Sequence, residues 1–141
     1  MSRDASGWLE KARGDLDVVR RSLVPMPEVN LEAAAYHLQQ AAEKSPKGLL
    51  VHLGLVYPRG AGKGHDVSLL ANAIPSGHKL RAKAMGLIPL TPWATAYRYP
   101  ADDPAAEPPL PTSAEIDDKF KLIVEFMDEV MKEARALQTK P

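Results

Sequence analysis

The chain has 141 residues, equal numbers of acidic and basic side chains, and no cysteine. This length suits one domain, which buries about two-thirds of the surface of its unfolded chain. The lack of cysteine excludes disulfides, thiolate zinc sites and a cysteine nucleophile. No apolar run approaches the roughly 20 residues that span a bilayer, and the first residues lack the apolar core of a signal peptide. We therefore expect a single cytoplasmic domain over residues 1–141.

Helical periodicity dominates the first half of the chain. Apolar residues at spacings of three and four predict a first helix from near Asp4 to Leu23. Asn30 is a good N-cap for a second helix that continues to about Leu53. Alanines and leucines share one face of this second helix, which we expect to pack against other helices. Polar side chains share the other face, which we expect to meet solvent, a partner or a ligand.

The second helix also contains residues that disfavour helical structure. A proline in a helix interior costs roughly 3 kcal/mol, and a glycine adds about 1 kcal/mol more. Pro46 and Gly48 both fall inside the predicted helix. We therefore expect a kink or a break near Ser45.

Shorter elements are predicted for the second half of the chain. Asp66 caps a short helix that stops before Pro75, and another short helix spans roughly 78–87. Residues 100–111 contain five prolines, which predict an extended, exposed loop before the last helix. Thr112 and Glu115 form a capping box at the start of that helix. Apolar residues then follow at alternating spacings of four and three: Ile116, Phe120, Ile123, Met127, Val130, Ala134 and Leu137.

Charges are segregated along the chain although the total is zero. The segment 44–83 contains seven cations and one acid, a net charge of +6, whereas 102–129 contains nine acids and two cations, a net charge of −7. One interpretation is that the two segments pair with each other, within or between subunits. The other is that the basic segment meets phosphates.

Several short motifs, in their order and spacing, resemble those of HEPN domains. The run A-A-Y-H-L-Q-Q-A-A-E-K over 34–44 is similar to the second helix of that family. The other similar motifs are Trp8-Leu9 with Ala12 and Asp15-Leu16, His65-Asp66-Val67 with Leu69-Leu70, and Tyr97-Arg98-Tyr99-Pro100. The resemblance implies an all-α, up-and-down four-helix bundle with an additional short helix, in one HEPN-like domain that forms a homodimer.

The resemblance also implies a function. HEPN domains are often encoded beside minimal nucleotidyltransferases in toxin–antitoxin-like modules, so we expect a nucleotide- or RNA-binding subunit with such a protein as its partner. Its contact surface would be a polar row on the second helix, joined by a later turn. These residues are His37, Gln40, Glu43, Lys44 and Lys47, with Tyr97 and Arg98. The competing interpretation of the polar row is a solvated face with an ion pair between Glu43 and Lys47.

Two further functions stay open. Catalytic members of the family carry an R-x4–6-H motif that cleaves RNA without metal, and Arg59 and His65 have that spacing. Histidine suits the proton transfer and arginine suits the phosphate. However, the family motif normally lies near the last helix, where Arg98 has no following histidine. The third hypothesis is a structural partner that binds only protein. No metal or cofactor site is predicted.

Overall fold

A computed structural model describes residues 3–58, 66–94 and 109–138. Most of these residues are helical and none of them is in a strand, which confirms the predicted all-α class. They form five α-helices, of which three are long, and a 3-10 helix that precedes the last one. The elements are α1 (Arg3–Ser22), α2 (Leu31–His52), α3 (Val67–Ala73), α4 (Arg81–Met85), the 3-10 helix (Ile88–Ala94) and α5 (Ser113–Gln138).

The predicted helix starts are confirmed by their capping hydrogen bonds. The side chain of Asn30 accepts a bond from Ala33 N at 3.0 Å at the start of α2. Asp66 caps α3 by accepting a 2.8 Å bond from Ser68 N. At the start of α5, Glu115 N donates to Thr112 Oγ1 at 3.1 Å, and Thr112 N donates to Glu115 Oε1 at 3.2 Å. Each cap satisfies backbone donors that the first helical turn leaves unpaired.

Of the kink or break expected near Ser45, the break is wrong, because α2 runs without interruption through Pro46. The kink stays a prediction. Ser45 Oγ donates a 2.7 Å hydrogen bond to the carbonyl of Ala41, one turn back. Ser45, Pro46 and Gly48 are all buried, since α2 packs against α1, α5, α3 and the 3-10 helix. Burial on several sides therefore offsets the unfavourable helix propensity of this segment.

The direction of the helices follows from their side-chain contacts. On α1, Arg13 contacts Met131 of α5 and Arg20 lies over Phe120, so these two helices are antiparallel. Lys44 of α2 bonds to Asp15 of α1, and Lys47 lies over Trp8, so α1 and α2 are antiparallel as well. The helices α2 and α5 therefore run in the same direction, and α3, α4 and the 3-10 helix carry the chain back between them.

The core follows the predicted apolar faces, with two corrections. Leu16 and Val19 of α1, Leu38 of α2, and Ile116 and Ile123 of α5 are buried together. The seam predicted for α5 omitted Phe126, which is fully buried because it lies beside Ile123 on the same face. Pro111 was assigned to an exposed loop but is buried beside the start of α5. Residues 100–108 lie outside the described residues.

Two features between α2 and α5 differ from the sequence prediction. The helix expected over 78–87 is limited to Arg81–Met85, and the 3-10 helix Ile88–Ala94 was not predicted. This segment contains Pro92, which cannot donate a hydrogen bond within an α-helix. Buried Leu87 and Leu90 hold it in place, so tertiary packing decides its structure.

The end of α2 depends on a glycine in the left-handed region. Gly54 has a φ of 72°. Its N–H donates to Val51 O at 3.0 Å, and the N–H of Leu55 donates to Leu50 O at 2.8 Å. This pair of bonds is a Schellman motif, in which a residue with a Cβ is strained.

We expect Gly54→Ala to lower the free energy of unfolding by about 1–2 kcal/mol, the cost of placing a Cβ in the left-handed region. Urea denaturation followed by circular dichroism would measure the change. Gly77→Ala is the matched control, since Gly77 has open space around it and no positive φ. Equal effects of the two substitutions would contradict this assignment of the cap.

Candidate functional site

The polar row of α2 faces outward only in part, because two of its five residues are buried. The side chains of Glu43 and Lys47 are only 3% and 7% exposed. Gln39, between them and the start of the helix, is fully buried. The reason is that α1 lies across this side of α2 and supplies polar and aromatic partners. His37, Gln40 and Lys44 are half-buried and retain one edge at the surface.

Asp15 of α1 holds two of these side chains side by side. Its Oδ1 is 2.9 Å from Nδ1 of His37, and its Oδ2 accepts a 2.6 Å hydrogen bond from Nζ of Lys44. Because an ionised carboxylate only accepts, the proton of the first bond lies on Nδ1 of His37. The side chains of His37 and Lys44 are 30% and 21% exposed, against 10% for Asp15. Tyr36 packs its ring edge-on against the imidazole, with the centroids 5.0 Å apart.

Lys47 occupies a second, more deeply buried cluster. Its Nζ lies 3.5 Å from Oε1 of Glu43, 4.9 Å from the centre of the Trp8 ring and 5.6 Å from that of Tyr57. The two rings pack edge to face at 5.6 Å. Gln39 Nε2 donates a 3.0 Å hydrogen bond to Oε2 of Glu43. The predicted ion pair therefore exists, but it joins α1, α2 and the chain after α2 instead of facing solvent.

These clusters leave no buried polar side-chain atom without a hydrogen-bond partner. In the described residues, every buried side-chain nitrogen and oxygen has a hydrogen-bond partner. Glu43 and Lys47 are thus committed to the packing of α1 on α2. The surface edge of His37, Gln40 and Lys44 is what remains accessible for binding.

The two charged segments pair within the chain. Lys79 lies 3.4 Å from Glu129 and Lys83 lies 4.0 Å from Glu125, both on α5. The bond from Lys79 lowers the pKa of Glu129, with help from the nearby charge of Lys132. Arg81 instead donates a 2.6 Å bond to the carbonyl of Ile74 at the end of α3.

Histidines of the same region also face α5. His78 Nε2 lies 2.7 Å from Oε1 of Glu133, and His52 Nε2 lies 3.6 Å from its Oε2. Every cation of 44–83 that lies in the described residues therefore has a protein partner. The pairs with α5 account for Lys79 and Lys83 without any phosphate, whereas Lys44 keeps part of its surface open to solvent.

Some predicted site residues lie outside the described residues. Arg59 and His65 belong to the segment 59–65, and Tyr97 and Arg98 belong to 95–108. Their assignment as a catalytic pair and as binding residues stays a prediction.

The chain matches a known protein family over most of its length. The family model described as "HEPN domain" matches residues 5–137. The chain belongs to the HEPN family. No curated protein and no solved structure gives a significant match. Among the described residues of this HEPN domain, no helix is long and apolar enough to cross a membrane, and no group of three or more His, Cys, Asp or Glu could hold a metal ion.

Sequence reasoning missed the two α1 residues that organise the site of this HEPN domain. Asp15 and Trp8 were considered only as parts of the first-helix motif. A signal was available, because Asp15 lies between Ala12 and Leu16 on the buried face of α1. A carboxylate at such a position requires a cation or hydrogen-bond donors from a neighbouring helix.

We expect Lys47→Met to lower the free energy of unfolding by about 3 kcal/mol, because it leaves the buried carboxylate of Glu43 without its cation. Adding Glu43→Gln should recover part of that loss, with a coupling of about 1 kcal/mol or more in a double-mutant cycle. Chemical denaturation of the four proteins measures it.

The matched control is Lys121→Met. Lys121 forms the same i,i+4 pair, with Asp117 at 3.0 Å, but the two side chains are 68% and 55% exposed. Its denaturation midpoint should stay nearly unchanged. Additive effects of Lys47→Met and Glu43→Gln would show that the buried pair is not coupled.

Proposed function

We propose that this HEPN chain is a nucleotide- or RNA-binding subunit and that the surface edge of His37, Gln40 and Lys44 contacts phosphates. The observation that carries the proposal is the positioning of His37 and Lys44 by a single carboxylate. Asp15 fixes both side chains while each keeps part of its surface open to solvent. Side chains that are already positioned lower the ordering cost of binding an anion.

The hydrogen-bonding capacity of this edge supports the proposal. An ammonium group has three N–H donors, and the bond to Asp15 uses one donor of Lys44. His37 makes its described bond through Nδ1, so its Nε2 donates to a phosphate only when the imidazole is protonated. Nε2 of Gln40 donates a 2.8 Å hydrogen bond to Oε1 of Gln39 through one of its two hydrogens. The other hydrogen remains available for a ligand. Tyr97 and Arg98 would join this edge, as the family resemblance implies.

The protein partner follows from the family alone. We propose a minimal nucleotidyltransferase in a toxin–antitoxin-like module, and a homodimer as the assembly that meets it. Co-expression with such a protein, followed by size-exclusion chromatography with light scattering, tests both parts. Retention of the partner without any shift in melting temperature on adding ATP or GTP would favour a purely protein-binding role.

We expect Lys44→Gln to weaken RNA binding roughly tenfold, the size of one charge-assisted hydrogen bond. The slope of log K against log salt should fall by about 0.7 for the lost phosphate contact. Fluorescence anisotropy with a labelled single-stranded RNA, titrated at several salt concentrations, measures both quantities.

Lys121→Gln is the matched control, because Lys121 is an exposed lysine of α5 that pairs with Asp117 and not with Asp15. It removes the same charge and should change neither the affinity nor the slope beyond the general effect of net charge. Equal losses in Lys121→Gln and Lys44→Gln would overturn the proposed surface. Cleavage of the RNA to 2′,3′-cyclic phosphate ends, lost in a folded His65→Ala variant, would instead support the ribonuclease hypothesis with Arg59 and His65.

A further inference from the structure

A groove runs between α1 and α5. It lies on a different side of α1 from the side on which Asp15 contacts α2. Its volume is about 560 Å³. Small-molecule sites typically measure about 300–1,000 Å³, so the groove has the size of a ligand site. Neither of the sites discussed above contributes a residue to it.

The groove has an apolar floor. Leu16 and Met127 are buried at its base, and the half-buried side chains of Phe120 and Val124 complete it. Gly14 lies at the edge, and a Cβ built there would meet nothing within 4 Å. The missing side chain of Gly14 therefore leaves the groove open between the two helices.

Two arginines of α1 stand over this floor without a carboxylate partner. Arg13 Nη2 contacts only the sulfur of Met131, at 3.3 Å, and a thioether is a weak acceptor. The guanidinium of Arg20 lies 5.6 Å from the centre of the Phe120 ring. A cation–π contact at this distance leaves the N–H groups of the guanidinium free to donate. Neither arginine forms an ion pair in the described part of the chain.

The acidic residues of the groove do not cancel these charges. Asp17 is already engaged by Arg21, with 3.0 Å between Oδ2 and Nη2. Asp128 is the remaining carboxylate of the lining. Two arginines against one unengaged carboxylate leave an excess of one positive charge above an apolar surface.

We propose that this groove binds a small planar aromatic molecule that carries one anionic group. The ring would lie on Leu16, Val124 and Met127, and the carboxylate, sulfonate or phosphate would accept hydrogen bonds from Arg13, while Arg20 adds its positive charge further along the groove. Apolar area supplies the affinity, and the two guanidinium groups supply the preference for an anion. The proposal is independent of the nucleotide- or RNA-binding function.

Two probes with the same aromatic framework test the preference for charge. They are 8-anilinonaphthalene-1-sulfonate and its neutral relative N-phenyl-1-naphthylamine, each titrated by fluorescence into the full chain. We expect the sulfonate to bind at least tenfold more tightly than the neutral probe. Arg13→Gln and Arg20→Gln should each reduce this ratio severalfold, whereas Lys79→Gln, which removes an exposed cation outside the groove, should not.

A pair of glycine substitutions tests the location. Gly14→Leu fills the groove and should weaken binding of both probes at least tenfold. Gly7→Leu is the control, because Gly7 is also an exposed glycine of α1 with open space around it but does not line the groove. Lys44→Gln should leave the binding of both probes unchanged, which separates this site from the proposed phosphate contact.

Three results would overturn the proposal. They are equal affinity for the two probes, equal effects of Gly14→Leu and Gly7→Leu, and an unchanged ratio in Arg13→Gln. Circular dichroism and the melting temperature of each variant exclude probe binding to unfolded protein. If Gly14→Leu does not fold, the Arg13→Gln ratio alone decides, since that substitution alters an exposed side chain.

Discussion

The packing of α1 on α2 through buried charges is the constraint on which the rest of the structure depends. Asp15 contacts His37 and Lys44, and about two turns earlier in α1 the ring of Trp8 covers Lys47. A charge removed from water costs several kcal/mol unless it is paired and hydrogen-bonded. Only one register of α1 against α2 pairs all of these groups, so the polar contacts select that register as much as they stabilise it.

This selection extends beyond the two helices. Because Asp15 is fixed against α2, the residues two before and five after it, Arg13 and Arg20, turn toward α5. The same register thus sets the spacing of the groove and the exposure of Lys44. The helix α1 therefore contributes both to the packing against α2 and to the two candidate sites.

The sequence predicted local features well and the environment of α2 poorly. Caps at Asn30, Asp66 and Thr112 follow from hydrogen bonds within a few residues, so they can be predicted without tertiary knowledge. The polar face of α2 was assigned wholly to the surface, although part of it is buried, because periodicity separates polar from apolar residues but does not say what covers the polar ones. The cover is Asp15, a residue 22 positions from His37 in the chain. Likewise, the continuity of α2 through Pro46 depends on burial by other helices, which intrinsic helix propensity does not take into account.

The position of Lys47 also gives the protein an optical property. The sequence has two tryptophans, and Trp8 has a cation 4.9 Å from its ring and the Tyr57 ring at 5.6 Å. Indole emission shifts with nearby charge and with the polarity of its surroundings. Detachment of α1 would remove the ammonium group and expose the indole together, so the spectrum of Trp8 reports directly on the contact between the first two helices, without any added label.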